Sequence, residues 1–244
     1  MSADAVTLRG VTRAYRGGVI ALDNVSLRVP RGAFLAVMGQ SGSGKSTLLH
    51  CASGLDVPTS GSVSVGGIEI SNMREAKRAV VRREQVGFVF QSYNLVPSLN
   101  VEQNITLPLR LAGRAPDRRW LDGLVARVGL GDLLHRAPTE LSGGQRQRVA
   151  VVRALAARPA VVFADEPTGA LDSVNAAQIL DLLAALTDDL GQTVVMVTHD
   201  AAAAARAHDT AVMADGRVTE VLQGGASADE LAARLGRVWT GAAR

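Results

Sequence analysis

The sequence contains few of the residues on which several functional classes depend. Its single cysteine excludes a disulfide framework and a four-cysteine zinc site. Aromatic residues make up only 3% of the chain, too few for the stacking platform of a single-strand-binding protein. The formal net charge of +3 gives no argument for nucleic-acid binding, so we expect no nucleic-acid partner.

Long hydrophobic runs are also missing. No stretch approaches the roughly 18 uncharged apolar residues that a membrane-spanning helix needs, and Arg153 and Arg158 interrupt the most apolar region. The opening residues, MSADAVTLRG, lack the basic segment followed by an apolar segment that marks a secretory signal. We therefore expect a cytoplasmic protein that reaches a membrane only through a partner.

The pattern of apolar residues that is present predicts an α/β fold. The chain has 244 residues, 47% of them hydrophobic, which is enough for a sizeable core in one large domain. Strand patterns fill the first third, with Gly66 and Gly67 at a hairpin turn. Residues 92–140 look mostly helical, and strands then alternate with helices. Continuous apolar strands separated by helices predict a mostly parallel sheet covered on both faces.

The segment GQSGSGKST follows the apolar strand AFLAVM and matches the phosphate-binding pattern G-x-x-x-x-G-K-[ST]. Its glycines allow backbone N–H groups to turn toward phosphate oxygens at the start of a helix. Lys45 supplies a cation for the β- and γ-phosphates, and the Ser46 hydroxyl is an oxygen ligand for Mg²⁺. The residues predicted to hold the nucleotide are Gly39, Gln40, Ser41, Gly42, Ser43, Gly44, Lys45, Ser46 and Thr47.

Two adjacent acids end the apolar strand VVFADE. The ligand of an open α/β sheet lies beyond the carboxyl ends of its strands, so Asp165 and Glu166 should emerge beside the phosphates. Asp165 is the candidate for binding Mg²⁺, and Glu166 for accepting a proton from the attacking water. The alternative is that these acids only make the strand end soluble.

A second helix start follows 97 residues after Lys45, at LSGGQ. Ser142 is placed as the N-cap, with Gly143 and Gly144 beside it, so this end is another potential anion site. A single nucleotide seldom needs two such helix ends from one subunit.

With LSGGQRQRVA, ADEPTGALD and VTHD in this order, nearly the whole chain resembles the ATP-binding subunit of an ABC transporter. The segments LDVPTSGSV, VGFVFQSYNLVPSLNVEQNITLPL and ADEPTGALDS are similar to the branch that contains macrolide exporters, lipoprotein-release ATPases and the cell-division ABC ATPase. The resemblance implies a homodimer in which ATP lies between the phosphate loop of one subunit and LSGGQ of the other. Gln40, where many relatives carry proline, is a small departure at a position that needs only its backbone.

The resemblance also assigns roles to single residues. It implies that Tyr15 stacks on adenine, Gln91 senses Mg²⁺ and water, Asp172 lies at the dimer interface and His199 contacts the γ-phosphate. Gln91 and His199 each end a predicted strand, which brings them to the edge that carries Asp165; for Gln91 a simple strand-end cap is the alternative. For Tyr15 the alternative is a surface or core residue, but adenine stacking is preferred. The implied catalytic residues are Lys45, Gln91, Glu166 and His199, the metal ligands are Ser46, Gln91 and Asp165, and the signature contacts are Ser142, Gly143, Gly144 and Gln145.

The resemblance implies one ABC ATP-binding domain over residues 1–244. Its ATPase core, with an N-terminal antiparallel β-subdomain, covers 1–91 and 159–222, and an inserted helical subdomain covers about 92–158. A groove within 93–109 would receive a helix of a membrane permease, although most apolar residues there could pack the insertion itself. Two interpretations are open for the C-terminal helix, 223–244. A membrane-surface helix is suggested by its basic residues Arg234, Arg237 and Arg244. Docking on the body of the protein is favoured by its apolar residues, Leu231, Leu235, Val238 and Trp239.

The predicted function is therefore ATP hydrolysis that energises a separate permease at the cytoplasmic face of the plasma membrane. Export of a drug, peptide or lipid-linked substrate is the preferred reading, and cell-division signalling through a permease-like partner is the alternative. A soluble ABC ATPase of DNA or ribosomes is remote. The 97-residue gap between the two motifs is too short for a long coiled coil, the single cysteine leaves no zinc site, and each motif occurs once.

Overall fold

A computed structural model describes residues 4–241, and side chains over residues 4–236. An antiparallel sheet has the strand order β2-β1-β4-β5, and a second, six-stranded sheet has the order β10-β9-β3-β8-β7-β6. The strands are β1 Asp4–Ala14, β2 Ile20–Pro30, β3 Phe34–Gly39, β4 Ser60–Val65, β5 Ile68–Glu69, β6 Val86–Phe90, β7 Val161–Asp165, β8 Val194–Thr198, β9 Asp209–Ala214 and β10 Arg217–Leu222.

Helices cover the six-stranded sheet and form the segment between β6 and β7. They are α1 Lys45–Ala52, α2 Glu75–Gln85, α3 Val101–Leu111, α4 Arg118–Arg127, α5 Gly143–Leu155, α6 Ser173–Leu190, α7 Ala201–Ala204 and α8 Ala228–Gly241. Pairing is parallel from β9 through β3, β8 and β7 to β6, and antiparallel only between β9 and β10. The α/β fold with a mostly parallel sheet and an N-terminal antiparallel sheet is confirmed.

The burial of each strand follows from its position in the six-stranded sheet. All residues of β3 and β8 are buried, because helices cover one face of the sheet and α1 with the antiparallel sheet covers the other. The edge strand β10 instead alternates exposed and half-buried residues. The predicted hairpin is confirmed: Gly66 (φ +60°) and Gly67 (φ +85°) connect β4 to β5 with the two positive φ angles that a type I′ turn requires.

The register of the parallel strands brings the predicted polar residues to one edge. Asp165 at the end of β7 pairs with Phe90 at the end of β6 and with Val197 on β8. The residues that follow these strands therefore leave the sheet at the same level.

The C-terminal helix packs on the body of the protein. The Ser227 hydroxyl accepts a hydrogen bond from the Glu230 backbone N–H at the start of α8, and Leu231 and Leu235 are buried in the main core. The side chains of Arg237, Val238, Trp239 and Arg244 lie outside the described residues. No helix within residues 4–241 combines the length and apolar character that crossing a bilayer requires.

Candidate functional site

The phosphate loop runs from the end of β3 to the start of α1, and its glycines are needed for close packing. A Cβ on Gly39 would lie 2.4 Å from the Met213 carbonyl oxygen, and one on Gly44 would lie 2.3 Å from the Ala21 carbonyl oxygen. Gly44 is also the N-cap of α1 with φ +99°, a conformation that side chains disfavour. Gly42, at φ +83°, instead faces open space.

Lys45 lies folded back on this loop. Its Nζ donates to the carbonyl oxygens of Gly39 (2.8 Å) and Gln40 (2.6 Å), and only 8% of the residue is exposed. Burial lowers the pKa of Lys45, while the carboxylates of Glu166 and Asp165 oppose that shift. The ammonium group is therefore held at the loop by hydrogen bonds and by nearby negative charge.

A cavity of about 670 Å³ opens over the loop. It brings eight of the nine predicted loop residues together with Glu166 and His199, which come from two other segments. Ser43 is the exception: its hydroxyl is buried and has no hydrogen-bond partner among the described residues. The lining residues are Ala21, Gly39, Gln40, Ser41, Gly42, Gly44, Lys45, Ser46, Thr47, Glu166, Val197 and His199.

Glu166 has an unusual backbone conformation. It sits at φ +45°, and its N–H donates to the Val197 carbonyl oxygen at 3.0 Å. One carboxylate oxygen accepts from the Thr198 hydroxyl at 3.3 Å, and the other lies 2.8 Å from Nδ1 of His199, whose side chain is 72% exposed. Left-handed backbone at a non-glycine residue costs of order 1–3 kcal/mol. The fold thus holds this carboxylate at the cavity wall against a local preference.

Asp165 is half-buried beside Glu166. Burial raises its pKa, the charge of Glu166 acts in the same direction, and His50 and Lys45 oppose the shift. His50 was not predicted as a site residue, because its position within α1 does not indicate that it comes near the end of β7. Within residues 4–236 no three His, Cys, Asp or Glu side chains cluster as a metal site.

Besides Ser43, three predicted nucleotide or metal contacts do not line the cavity: Asp165, Gln91 and Tyr15. Gln91 packs over Gly169, where an added Cβ would come within 2.7 Å of its Nε2. The Tyr15 hydroxyl donates to Asp56 at 3.0 Å, and the guanidinium of Arg13 lies 4.6 Å from the centre of the Tyr15 ring.

The LSGGQ residues form the start of α5, apart from the cavity lining. Ser142 is the N-cap: its hydroxyl accepts from the Gln145 N–H at 3.3 Å, and Gln145 Oε1 accepts from the Ser142 N–H at 2.8 Å. Gly144 is packed so closely that a Cβ would meet Asn175 Oδ1 at 2.2 Å. Asp172 caps the next helix, α6, through the N–H groups of Val174 and Asn175.

Two polar residues of α5 make contacts that the sequence did not predict. Gln147 is fully buried and donates to the carbonyl oxygens of Pro167 (2.6 Å) and Phe90 (3.4 Å), next to Glu166 and Gln91 in the chain. Arg153 donates to the carbonyl oxygens of Tyr93 and Asn94. The available signal was the polar spacing within an otherwise apolar helix, which by itself does not indicate what the side chains contact.

Comparisons with known proteins identify the family to which this chain is similar. The family model for ABC transporters matches residues 22–169. The macrolide export ATP-binding/permease protein MacB of Hyphomonas neptunium is 44% identical over 223 residues, 89% of this chain and 34% of that protein. MacB of Bdellovibrio bacteriovorus is 43% identical over 80% of this chain and 30% of that protein. The chain thus spans about a third of the length of these relatives.

Solved structures of similar proteins share the fold over most of their length. The ATP-binding cassette MJ0796, seen as a dimer in a post-hydrolysis state with ADP and Pi, is 39% identical with a TM-score of 0.80, covering 89% of this chain and 98% of its own. The cbiO1 protein of Clostridium perfringens, part of the transporter complex cbiONQ, is 29% identical with a TM-score of 0.82, covering 94% and 91%. This chain belongs to the ABC transporter family, and its fold is that of an ABC transporter cassette.

Proposed function

We propose that the chain binds ATP in the cavity over the phosphate loop and hydrolyses it to ADP and phosphate. The observation that carries the proposal is the meeting of the phosphate loop, Lys45, Glu166 and His199 around one cavity of about 670 Å³. Four separate segments of the chain line this cavity, the fourth through Ala21 on β2. A cation for the phosphates and a carboxylate for the attacking water serve phosphoryl transfer to water, and an imidazole can donate to a phosphate oxygen.

The oxygen donors near the loop fit Mg²⁺. The exposed Ser46 hydroxyl and the Asp165 carboxylate are hard ligands that would hold the ion, with Gln91 as a further candidate at the same sheet edge. When bound, Mg²⁺ would neutralise charge on the phosphate oxygens. In this proposal Glu166 accepts the proton of the attacking water, and His199, already within hydrogen-bond distance of Glu166, donates to a phosphate oxygen.

The position of the signature motif supports a site shared between two copies of the chain. Ser142, Gly143, Gly144 and Gln145 do not line the cavity that the phosphate loop of the same chain forms. We infer that two copies associate head to tail, so that each α5 start faces the other's cavity. In the same proposal Asp172 lies at the contact between the copies, and Tyr15 borders the adenine.

We infer that the energy of hydrolysis is used by a membrane permease, with the protein held at the cytoplasmic face of the membrane. The MacB relatives are macrolide export ATP-binding/permease proteins, which favours export over a role in cell division. The permease contact is assigned to the helical segment of about 92–158. A groove of about 210 Å³ opens between β6 and this segment, beside Asn94 and Pro108, whereas Val101 and Ile105 pack the core instead.

Mixed dimers test the shared site. One chain carries Lys45→Ala and the other Ser142→Arg, and the two are forced to pair. If the sites are shared, both lesions fall in one site and the other site is intact. The control places both substitutions in one chain, paired with an unmutated chain, and sharing then damages both sites.

The measurement is the amount of trapped nucleotide as well as turnover, because strong cooperativity can silence a dimer with one intact site. The proposal expects more trapped nucleotide in the first mixed dimer than in the control. The opposite order would mean that each chain is self-contained. Both mixed dimers hold the same substitutions, so effects on folding largely cancel.

A further inference from the structure

The segment that carries Gln91 leaves β6 in a strained conformation. Tyr93 and Asn94, consecutive non-glycine residues, have φ +61° and φ +49°. Each costs of order 1–3 kcal/mol and persists only where the surroundings enforce it. The shape of this segment therefore depends on groups outside it.

Three side chains from α5 hold the segment. Arg153 reaches the carbonyl oxygens of both strained residues, at 2.8 Å for Tyr93. Gln147 donates to the Phe90 carbonyl, one residue before Gln91, at 3.4 Å. The guanidinium of Arg146 lies 5.0 Å from the centre of the Tyr93 ring.

The Arg153 side chain makes all of its hydrogen bonds within the described residues to this segment. It forms no ion pair with any carboxylate in the part of the chain that the structure describes, and its hydrogen bonds go to the two carbonyls. Burial lowers its pKa, which means that the surroundings disfavour its charge. A partly buried, unpaired cation is costly, and its two neutral acceptors offset only part of that cost. A generic packing residue would not need the charge.

We propose that Arg153 is a positioning residue, which with Gln147 fixes the strained turn after β6 and thereby the placement of Gln91. This inference rests on the proposed ATPase function. Gln147 also donates to the Pro167 carbonyl, one residue after Glu166, so one helix positions both sides of the water-activating region. Arg153 also lines the 210 Å³ groove, together with Asn94.

Hydrogen exchange and kinetics on the whole chain test the proposal with Arg153→Lys. Lysine keeps the charge but cannot bridge two carbonyls with a planar fork. Amide exchange within 91–96 should become at least about fivefold faster, with the phosphate loop unchanged. The turnover number should fall at least about tenfold, because small misplacements of catalytic groups are costly. The Kd for ATP should stay within about twofold, because the loop that binds phosphates is untouched.

The matched control is Arg148→Lys, on the same helix, whose guanidinium bonds Gln178 on α6 instead. It should change neither exchange nor turnover. Equal exchange, or equal turnover, in the two variants overturns the proposal. So does a parallel loss of ATP binding and turnover in Arg153→Lys, since that would reflect a smaller folded fraction.

A second variant separates positioning from stability. Tyr93→Gly relieves the left-handed strain and removes the ring that Arg146 covers. Faster exchange within 91–96 and lower turnover without a lower melting temperature support the proposal, and unchanged exchange and turnover overturn it. Failure of the proposed ATPase function is distinguishable from failure of this proposal, because in that case the unmutated chain itself would show no ATP turnover.

Discussion

The N-termini of α1 and α5 are built in opposite ways. The start of α1 has Gly44 as its N-cap, no side-chain cap, and a cavity in front of it. The start of α5 is closed by a reciprocal pair, in which Ser142 and Gln145 each accept a hydrogen bond from the other's backbone. Uncapped N–H groups at a helix start are donors without a partner, whereas capped ones are partly satisfied. The α1 end thus presents uncapped donors to a ligand, whereas the cap at the α5 end satisfies part of its donors within one chain.

The largest effect is expected from removing the proposed base while leaving the α1 end able to bind. Glu166→Gln keeps the size of the side chain but cannot accept the water proton. Turnover should fall by at least about a hundredfold, within the range of general-base catalysis, while ATP binding is kept. ATPase rates and nucleotide bound to a trapped dimer measure this. Near-normal hydrolysis would assign the base to another residue.

The next effect concerns the backbone of the α1 end itself. Gly44→Ala places a Cβ 2.3 Å from the Ala21 carbonyl oxygen at φ +99°, so backbone must move, and the free energy of unfolding should fall by at least about 2 kcal/mol. Gly42→Ala is the control, since φ +83° is also strained but no atom lies within 4 Å of the Cβ. It should cost about 1–2 kcal/mol, the strain alone. Urea unfolding without nucleotide measures both, and equal losses would show that the collision is relieved cheaply.

The difference between the two helix ends was visible in the sequence only in part. Ser142 and Gln145 have the spacing of a capping box, and Gly39 to Thr47 match a phosphate-loop pattern, so both helix starts and the parallel sheet could be predicted from local spacing and hydrophobic pattern. The left-handed backbone of Glu166 and the contacts of Gln147 and Arg153 could not. Those features depend on which segments the folded sheet brings together, and no local pattern encodes them.

A smaller effect should follow from opening the α5 end. Ser142→Ala removes the cap on the Gln145 N–H and should cost about 1 kcal/mol in the free energy of unfolding. Ser227→Ala is the matched control, because Ser227 caps α8 away from the cavity and should cost a similar amount. Only Ser142→Ala should also reduce turnover, and neither should change ATP binding by a single chain. An equal effect of the two variants on turnover would argue that the α5 start has only a structural role.

The smallest effect concerns a third capped helix start, that of α6. The pKa of Asp172 is lowered because its carboxylate accepts from the Asn175 N–H and side chain, and from the Val174 N–H. A carboxylate with a lowered folded-state pKa contributes stability above its unfolded-state pKa. That contribution is lost as the pH falls through the folded-state value. Asp172→Asn keeps a capping oxygen but does not titrate, so it should be slightly less stable than the unmutated chain at about pH 7, and the gap should close toward about pH 3. Urea midpoints at both pH values measure this, and Asp172→Ser, another uncharged cap, should behave in the same way. A gap that stays constant with pH would mean that the cap works through its geometry alone, and would make the α6 end equivalent to the uncharged cap of α5.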